Sequence, residues 1–305
     1  MSAPAIEATG LRRRFDDHVA VDGLSLRVEP GEIYGLIGPD GAGKTTTLRI
    51  VAGLLDAEAG TVRLAGHDPF DARGGSRELL GYMPQQYSLY GDLSVAENLA
   101  FFREMYGLSR DAFRARRDRL LALTRLAPFR DRRAQALSGG MYKKLALACA
   151  LLHEPKALLL DEPTTGVDPV SRRELWDLLH EFLAEGMAIV IATPYMDEAS
   201  RCHRAGMLYA GSLLVEGAPS DLLAAFRHPV FAVRGDRDAL EDLLARDADV
   251  LAYTPAGARL RVVVKGGRER DVLARLEAAG ARAEPATASF EDVFLARMHE
   301  ERSAA

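Results

Sequence analysis

A glycine-rich loop followed by a lysine and a threonine is the strongest chemical signal in the sequence. GPDGAGKTT at residues 38–46 has the spacing G-x-x-x-x-G-K-[ST]. Its glycines let backbone N–H groups turn toward phosphate oxygens, Lys44 can reach the β- and γ-phosphates, and Thr45 can hold Mg²⁺. The residues expected to surround the phosphate groups are Gly38, Pro39, Asp40, Gly41, Ala42, Gly43, Lys44, Thr45 and Thr46.

Two adjacent carboxylates follow an apolar run, in the sequence ALLLDEP at residues 157–163. Neighbouring strand residues point to opposite faces, so the two acids are expected to have different roles. Asp161 is the candidate Mg²⁺ ligand, and Glu162 is the candidate for orienting the water that attacks the γ-phosphate. The alternative is an exposed Asp-Glu turn, which the nearby phosphate loop makes the weaker interpretation.

A third motif, LSGGM at residues 137–141, precedes an apolar-rich helix. Ser138 has the character of a helix N-cap, and small residues after it leave helix-end N–H groups open to an anion. Taken alone, this motif is an ordinary helix start.

These motifs require a particular set of elements around them. Residues 6–11 and 19–28 alternate apolar and polar positions and predict an antiparallel pair of strands. The pattern of residues 32–55 predicts a strand, the glycine-rich loop and a helix. Residues 94–152 carry helical patterns only, with Ser94 and Glu97 as a capping box, and residues 157–193 predict a βαβ unit.

The pattern changes after about residue 225. A strand at 231–233, a helix at 237–245, a hairpin at 250–264 turning at Pro255-Ala-Gly257 and a helix at 268–279 are predicted. We therefore expect two domains. Residues 1–225 form an α/β P-loop NTPase core with a mainly parallel sheet, an antiparallel β subdomain and a helical insertion at about 86–155; residues 226–305 form a small α+β appendage.

Composition excludes several classes of protein. The chain has 305 residues, a formal charge of −5 and two cysteines. No broad basic field is present to hold nucleic acid, and no apolar run reaches the roughly 18–20 residues of a membrane helix. No secretory signal is recognised at the start, and the low cysteine content favours a reducing compartment, so a cytoplasmic location is expected.

The order of GPDGAGKTT, LSGGM and LLLDEPTTGVDP makes residues 6 to about 225 resemble the ATP-binding subunit of an ABC transporter. The resemblance implies ATP hydrolysis and two ATP molecules held between two such domains, in a homodimer or a heterodimer. In that arrangement Ser138, Gly139 and Gly140 complete the nucleotide site of the second subunit.

The resemblance also implies roles for single residues. Phe15 is similar to the aromatic residue that stacks on adenine, although a core-packing role is the alternative. Gln85 resembles the glutamine that reaches Mg²⁺ and senses the γ-phosphate, with a plain surface loop as its alternative and Gln86 as the weaker candidate. Asp168 resembles the residue that crosses the dimer interface.

Two further segments resemble subunits that serve ABC-2 type export permeases: GYMPQQYSLYGDLSVAENL at 81–99 and ASFEDVFL at 288–295. This implies a separate integral membrane permease and a peripheral location on the inner face of the cell membrane. Tyr87, Leu89 and Tyr90 are the expected docking residues, and core packing is an equal alternative.

The family's usual switch histidine is replaced by Pro194, which has neither an ionisable side chain nor a backbone N–H. We therefore expect ATP to bind well and to be hydrolysed at a reduced rate. His180 and His203 do not fall at this position, whereas Thr193 or Tyr195 could supply a hydroxyl group. The competing functions are a soluble ATP-binding switch acting on ribosomes or DNA, and a regulatory subunit with weak hydrolysis and no transport role.

Overall fold

The structure is a computed structural model that describes residues 3–71, 75–86 and 89–304. Its strands are β1 (Ile6–Phe15), β2 (His18–Val28), β3 (Ile33–Ile37), β4 (Ala59–Leu64), β5 (Leu80–Met83), β6 (Ala157–Asp161), β7 (Ala188–Thr193), β8 (Arg204–Tyr209), β9 (Ser212–Gly217), β10 (Val230–Arg234), β11 (Val250–Ala256), β12 (Arg259–Val264) and β13 (Arg282–Ala286). Its α-helices are α1 (Lys44–Val51), α2 (Val95–Met105), α3 (Arg110–Leu123), α4 (Gly139–Leu151), α5 (Pro169–Ala184), α6 (Pro219–Ala225), α7 (Arg237–Arg246), α8 (Glu269–Ala278) and α9 (Phe290–Ala304).

The central sheet has the strand order β5-β6-β7-β3-β8-β9, parallel except for β9. Every residue of β3, β6 and β7 is buried, as expected for parallel strands covered on both faces. The carboxyl ends of these strands lie side by side, with Ile37 next to Thr193 and Asp161 next to Ala192. The predicted strands of the βαβ unit are confirmed, and their ends define one edge of the sheet.

The two faces of this sheet bury different parts of the chain. Alternate strand residues such as Leu158 and Ile189 pack against the helical insertion and α5. Their neighbours Leu159 and Val190 pack toward α1 and the N-terminal sheet. That sheet has the order β2-β1-β4 and is antiparallel, which confirms the predicted pair and adds a strand, β4, that was not predicted.

The described part of residues 86–155 contains helices and no strand, as predicted. The capping box at α2 is present: Ser94 Oγ accepts a hydrogen bond from Glu97 N, and Glu97 Oε2 accepts one from Ser94 N. In the described residues, no helix is long and apolar enough to cross a membrane.

The C-terminal strands form a separate antiparallel sheet of order β11-β12-β10-β13. With α7 and α8 between strands, the chain order βαββαβ is that of a ferredoxin-like fold, a specific form of the predicted α+β appendage. The predicted hairpin is confirmed with Gly257, at φ 63°, in its turn, but the turn was placed too early. Strand β11 continues through Pro255 and Ala256, and Ala258 is the second turn residue.

Helix α9 contacts both halves of the chain. Phe290, Val293 and Phe294 pack with Ile37 and other residues of the central-sheet core. Ala296 packs on the C-terminal sheet among Val230, Leu251 and Val263. The division at residue 225 stays a prediction, and the structure adds that the last helix of the second part lies against the first.

Candidate functional site

The phosphate loop lies between the end of β3 and the start of α1. Gly43 has φ 105°, and a Cβ atom there would lie 2.2 Å from the carbonyl oxygen of Ala20. A Cβ on Gly38 would lie 2.2 Å from the carbonyl oxygen of Leu208. Both positions therefore require glycine, because neighbouring backbone leaves no room for a side chain.

Lys44, the first residue of α1, is 4% exposed and points back over the loop. Its Nζ donates to the carbonyl oxygens of Gly38 and Pro39, each at 2.9 Å. Burial lowers the pKa of Lys44, while the charges of Glu162, Asp40 and Asp161 oppose that shift. The loop thus holds a buried cation against its own backbone, a suitable charge for binding phosphate.

Asp161 ends strand β6 and faces Thr45 across the loop. Its Oδ1 accepts a hydrogen bond of 3.0 Å from Thr45 Oγ1, and its side chain is almost fully buried. Its Oδ2 is also buried and makes no hydrogen bond of normal geometry among the described residues. The Tyr82 hydroxyl is buried and likewise unbonded within the described part of the chain, and burial and the nearby charge of Asp161 raise the pKa of Tyr82. Burial raises the pKa of Asp161, against the Thr45 hydrogen bond. A buried carboxylate oxygen without a partner, beside a hydroxyl, fits a hard divalent cation such as Mg²⁺.

Glu162 follows with a left-handed backbone, at φ 49°. This conformation costs a residue other than glycine about 1–2 kcal/mol, so it needs support from the surroundings. Glu162 N donates to the carbonyl oxygen of Ala192 at 2.9 Å, and Glu162 Oε2 accepts from Thr165 Oγ1 at 3.0 Å. The side chain is buried, yet it reaches the same groove as Lys44.

That groove has a volume of about 320 Å³ and brings most of the predicted nucleotide residues together. Its lining consists of Phe15, His18, Ala20, Asp40, Gly41, Gly43, Lys44, Thr45, Thr46, Gln85 and Glu162. His18 and Ala20 were missed by sequence reasoning. His18 could have been found from the sequence, because the two-residue connection Asp16-Asp17 predicts a tight turn that pairs His18 with Phe15.

Phe15 and Gln85 lie at the groove's open side. Phe15 is 43% exposed and has the Arg13 guanidinium 5.0 Å from its ring centre, so the core-packing alternative is wrong. Gln85 is exposed at the end of the segment after β5. Their proposed contacts with adenine and the γ-phosphate stay predictions.

Ser138, Gly139 and Gly140 lie outside the groove of their own chain, as far as the described lining shows. Ser138 Oγ accepts from Met141 N at 3.4 Å, which confirms it as the N-cap of α4. A Cβ on Gly139 would lie 3.1 Å from the carbonyl oxygen of Gly166, so this loop adjoins the segment that leads to Asp168. The two predicted interface segments therefore lie next to each other, with Ser138 and Gly139 exposed and Gly140 buried.

Asp168 caps helix α5. Its Oδ1 accepts hydrogen bonds from Val170 N at 3.0 Å and Ser171 N at 2.9 Å. Hydrogen bonding from Ser171 is the main reason that the pKa of Asp168 is lowered. The carboxylate is thus fixed at the loop's edge, and its role between subunits stays a prediction.

Thr193, Pro194 and Tyr195 are not among the described residues that line the groove. Thr193 Oγ1 accepts from Tyr195 N at 3.1 Å, and the Tyr195 ring centre lies 4.8 Å from the Arg172 guanidinium. Pro194 and Tyr195 line a different cavity, shared with Phe290 at the start of α9. The structure therefore gives no support to Thr193 or Tyr195 as a replacement for the switch histidine.

His180 and His203 are also engaged elsewhere. His180 Nδ1 lies 2.7 Å from the carbonyl oxygen of Trp176, and His203 Nδ1 accepts from Ile33 N at 3.2 Å. Neither histidine lines the groove in the part of the chain that the structure describes. The prediction that they do not act at the switch position agrees with these contacts.

The segment before α2 has both exposed and packed residues. Tyr90 is 51% exposed and stacks edge-on against Phe101 at 4.5 Å, whereas Leu89 packs against the helical core. Tyr87 lies outside the described residues. Buried Asn98, missed by sequence reasoning, donates to the carbonyl oxygen of Tyr90 at 3.0 Å and fixes the segment.

Comparisons with known proteins agree with this geometry. Residues 21–165 match the protein family described as "ABC transporter". The chain is 44% identical over 248 residues to "Probable multidrug ABC transporter ATP-binding protein YbhF" of Escherichia coli (strain K12), covering 81% of this chain and 43% of that protein. It thus spans less than half the length of that relative.

Two other proteins are matched over most of their length. "Nod factor export ATP-binding protein I" of Burkholderia pseudomallei (strain 1710b) is 40% identical over 300 residues, 97% of each chain. A solved "Structure of ATP binding subunit of ABC transporter" has 29% identity and a TM-score of 0.66, covering 72% of this chain and 92% of that one. The chain therefore belongs to the ATP-binding subunits of ABC transporters, a family of ATPases.

Proposed function

We propose that this chain binds ATP with Mg²⁺ and hydrolyses it within a head-to-tail dimer, and that hydrolysis powers export by a separate ABC-2 type membrane permease. The observation that carries the proposal is the buried, unpartnered Oδ2 of Asp161. The other carboxylate oxygen of Asp161 is bonded to Thr45, which lines the groove together with Lys44 and Glu162. A carboxylate in that state is costly unless a ligand completes it.

The residues divide the chemistry among them. Lys44 and the loop N–H groups bind the phosphates, and Glu162 orients the attacking water. Thr45, Asp161 and Gln85 are the residues that would hold Mg²⁺. When bound, the ion supplies charge neutralisation on the phosphate oxygens. Phe15, exposed at the open side of the groove, has a face available for stacking on the base.

The dimer supplies the part that one chain lacks. Ser138 of the partner subunit, with the glycines after it, would approach the γ-phosphate from the other side with the open N–H groups of a helix start. The dimer contains two copies of this chain or one copy and a related subunit.

The permease contact is assigned to the helical insertion. Tyr90, Phe101 and Met105 are exposed apolar residues, and Tyr90, which precedes α2, contacts the ring of Phe101 in the second half of that helix. Exposed apolar groups at one place favour a protein interface over open solvent. The subunit would then sit on the inner face of the cell membrane, held there by the permease. The relative named for Nod factor export supports this direction of transport.

The alternative is a soluble ATP-binding switch or regulatory protein with weak hydrolysis and no transport role. Pro194 is the feature that favours it, because the switch histidine is missing. The transporter names of the matched relatives favour the first function.

The decisive experiment is Glu162→Gln in the full chain. We expect ATP hydrolysis to fall by at least about 100-fold, because the water loses its orienting carboxylate, while ATP binding persists. Gel filtration with Mg²⁺ and ATP should show a trapped dimer. Glu181→Gln, exposed on α5, is the matched control and should leave turnover unchanged. A variant that stays monomeric with ATP would contradict the sandwich.

The consequence of Pro194 is tested separately. We expect Pro194→His to raise steady-state ATP turnover several-fold, about the contribution of one added hydrogen bond in the transition state. Unchanged or lower turnover would contradict the expectation that Pro194 reduces the rate of hydrolysis.

A further inference from the structure

Lys143 reaches the nucleotide site from helix α4, which otherwise belongs to the helical insertion. Its Nζ donates to the carbonyl oxygen of Gln85 at 3.0 Å and to that of Glu162 at 3.3 Å. These two residues are the proposed Mg²⁺ and γ-phosphate sensor and the proposed water-orienting acid. One ammonium group therefore joins the backbone of both.

The ammonium group of Lys143 interacts mainly with the residues of the nucleotide site. Burial lowers its pKa, and the charges of Glu162 and Asp161 oppose that shift, so the ammonium lies within electrostatic reach of both acids. Within the described residues, no carboxylate forms an ion pair with it. The next residue, Lys144, instead pairs with Glu174 of α5. The two adjacent lysines thus make different contacts: Lys144 binds helix α5, and Lys143 binds the nucleotide site.

The residue type also fits the geometry. Only five of the chain's 39 basic residues are lysine. An ammonium group has three donors around one atom and can bond two separate carbonyl oxygens, whereas a guanidinium presents a planar fork suited to paired acceptors. The carbonyl oxygens of Gln85 and Glu162 come from different segments, so a single ammonium group suits them better than a guanidinium.

The held carbonyl at Glu162 belongs to the residue with the left-handed backbone. That conformation persists only while its surroundings fix it. The Ala192 carbonyl fixes the Glu162 N–H, Thr165 fixes the carboxylate, and Lys143 fixes the carbonyl. Replacing Lys143 would therefore remove one of the three contacts that hold the backbone and side chain of Glu162 in place.

We propose that Lys143 is a positioning residue, which ties the segment of Gln85 to the strained Glu162 and sets the alignment of both for hydrolysis. This inference rests on the proposed ATPase function. Because Ser138 caps the start of α4, Lys143 also connects the predicted interface loop to the site of its own subunit.

The test compares Lys143→Met with wild type and with Lys156→Met, an exposed lysine before β6. We expect Lys143→Met to lower kcat by about 10- to 100-fold, in the range of a misplaced reacting group. The Kd of a fluorescent ATP analogue should change by less than about 3-fold, because Lys44 and the loop remain. Lys143→Arg should recover part of kcat, and Lys156→Met should match wild type.

Hydrogen exchange without nucleotide gives a readout that does not depend on hydrolysis. Peptides spanning Gln85 and Glu162 should exchange faster in Lys143→Met and in Lys143→Gln, which serves if the methionine variant does not fold. Unchanged exchange together with kcat within twofold of wild type would overturn the inference. A wild-type chain without ATPase activity would overturn the proposed function instead, and the exchange result would still decide the role of Lys143.

Discussion

Two aspartates, one in each half of the molecule, are about equally buried and are used in opposite ways. Asp161 and Asp292 are each 1% exposed. Asp292 lies near the start of α9 and is fully bonded, whereas Asp161 ends β6 with one oxygen unpartnered among the described residues. Burial by itself therefore says little about what a carboxylate does, and its partners say more.

Both carboxylate oxygens of Asp292 accept hydrogen bonds. Arg261 Nε donates to its two oxygens at 2.7 and 2.9 Å, and Ser289 N donates at 2.6 Å. Burial alone would raise the pKa of Asp292, but the hydrogen bonds from Arg261 and Ser289 outweigh it and lower the pKa. This aspartate stabilises the junction between α9 and the C-terminal sheet.

The pKa of Asp161 moves the other way, because burial outweighs its single hydrogen bond from Thr45. Asp161, at the nucleotide site, has one carboxylate oxygen without a hydrogen bond among the described residues, whereas both oxygens of Asp292, at the junction of α9 with the C-terminal sheet, accept hydrogen bonds. The difference supports Asp161, and not Asp292, as the proposed Mg²⁺ ligand.

Asp161→Asn should have the largest effect of the changes that test this contrast. We expect ATP turnover to fall by about 100-fold or more, because the proposed Mg²⁺ ligand loses its charge. Without nucleotide, the variant should be more stable by up to about 1 kcal/mol, since the buried unpaired charge is gone. Turnover assays and urea unfolding measure both. Asp177→Asn, exposed on α5, is the control; a destabilised variant with normal turnover would reverse the assignment.

Asp292→Asn should do the opposite. We expect a loss of about 1–3 kcal/mol in unfolding free energy, because bonds to a charged group are weakened in a buried place. Turnover per folded molecule should stay near wild type. Asp242→Asn, on the exposed face of α7, provides the comparison for urea unfolding. If instead activity fell and stability did not, the junction would belong to the catalytic machinery.

The smallest effect is the pH dependence of these two stability differences, measured without nucleotide. The lowered pKa of Asp292 stabilises the fold above its unfolded value near 3.8, and this stability is lost as pH falls below that value. The raised pKa of Asp161 destabilises the fold at neutral pH, and this penalty is relieved as pH falls toward 3.8.

The loss of unfolding free energy in Asp292→Asn should therefore be constant down to about pH 5 and become smaller below about pH 4. The increase in unfolding free energy in Asp161→Asn should already become smaller as the pH falls toward about 4. Equal pH profiles for both variants would remove the distinction between the two aspartates.

The sequence predicted the parts of this molecule that depend on neighbouring residues. The loop at 38–46, the pair Asp161 and Glu162, and the cap at Ser138 each follow from short spacings, because backbone geometry repeats over a few residues. The buried strands β6 and β7 were recognised for the same reason.

Other parts depend on contacts between distant segments and left no local pattern. His18 reaches the groove only because β1 and β2 pair, and Lys143 reaches Glu162 only through the packing of α4 on the sheet. Strand β4 has three exposed residues at its start, so its pattern is weak. Helix α9 was seen as a motif, but its contact with two cores could not be read from spacing.

The scarcity of lysine has a practical consequence for chemical labelling. Lys44 and Lys144 are buried, and Lys143 is half-buried and bonded to two carbonyl oxygens. Lys156 and Lys265 are exposed, one on each side of the predicted boundary at residue 225. Among the lysine side chains, amine-reactive dyes would therefore attach mainly to these two. With the α-amino group blocked first, energy transfer between the dyes would report whether the two halves move when ATP is added.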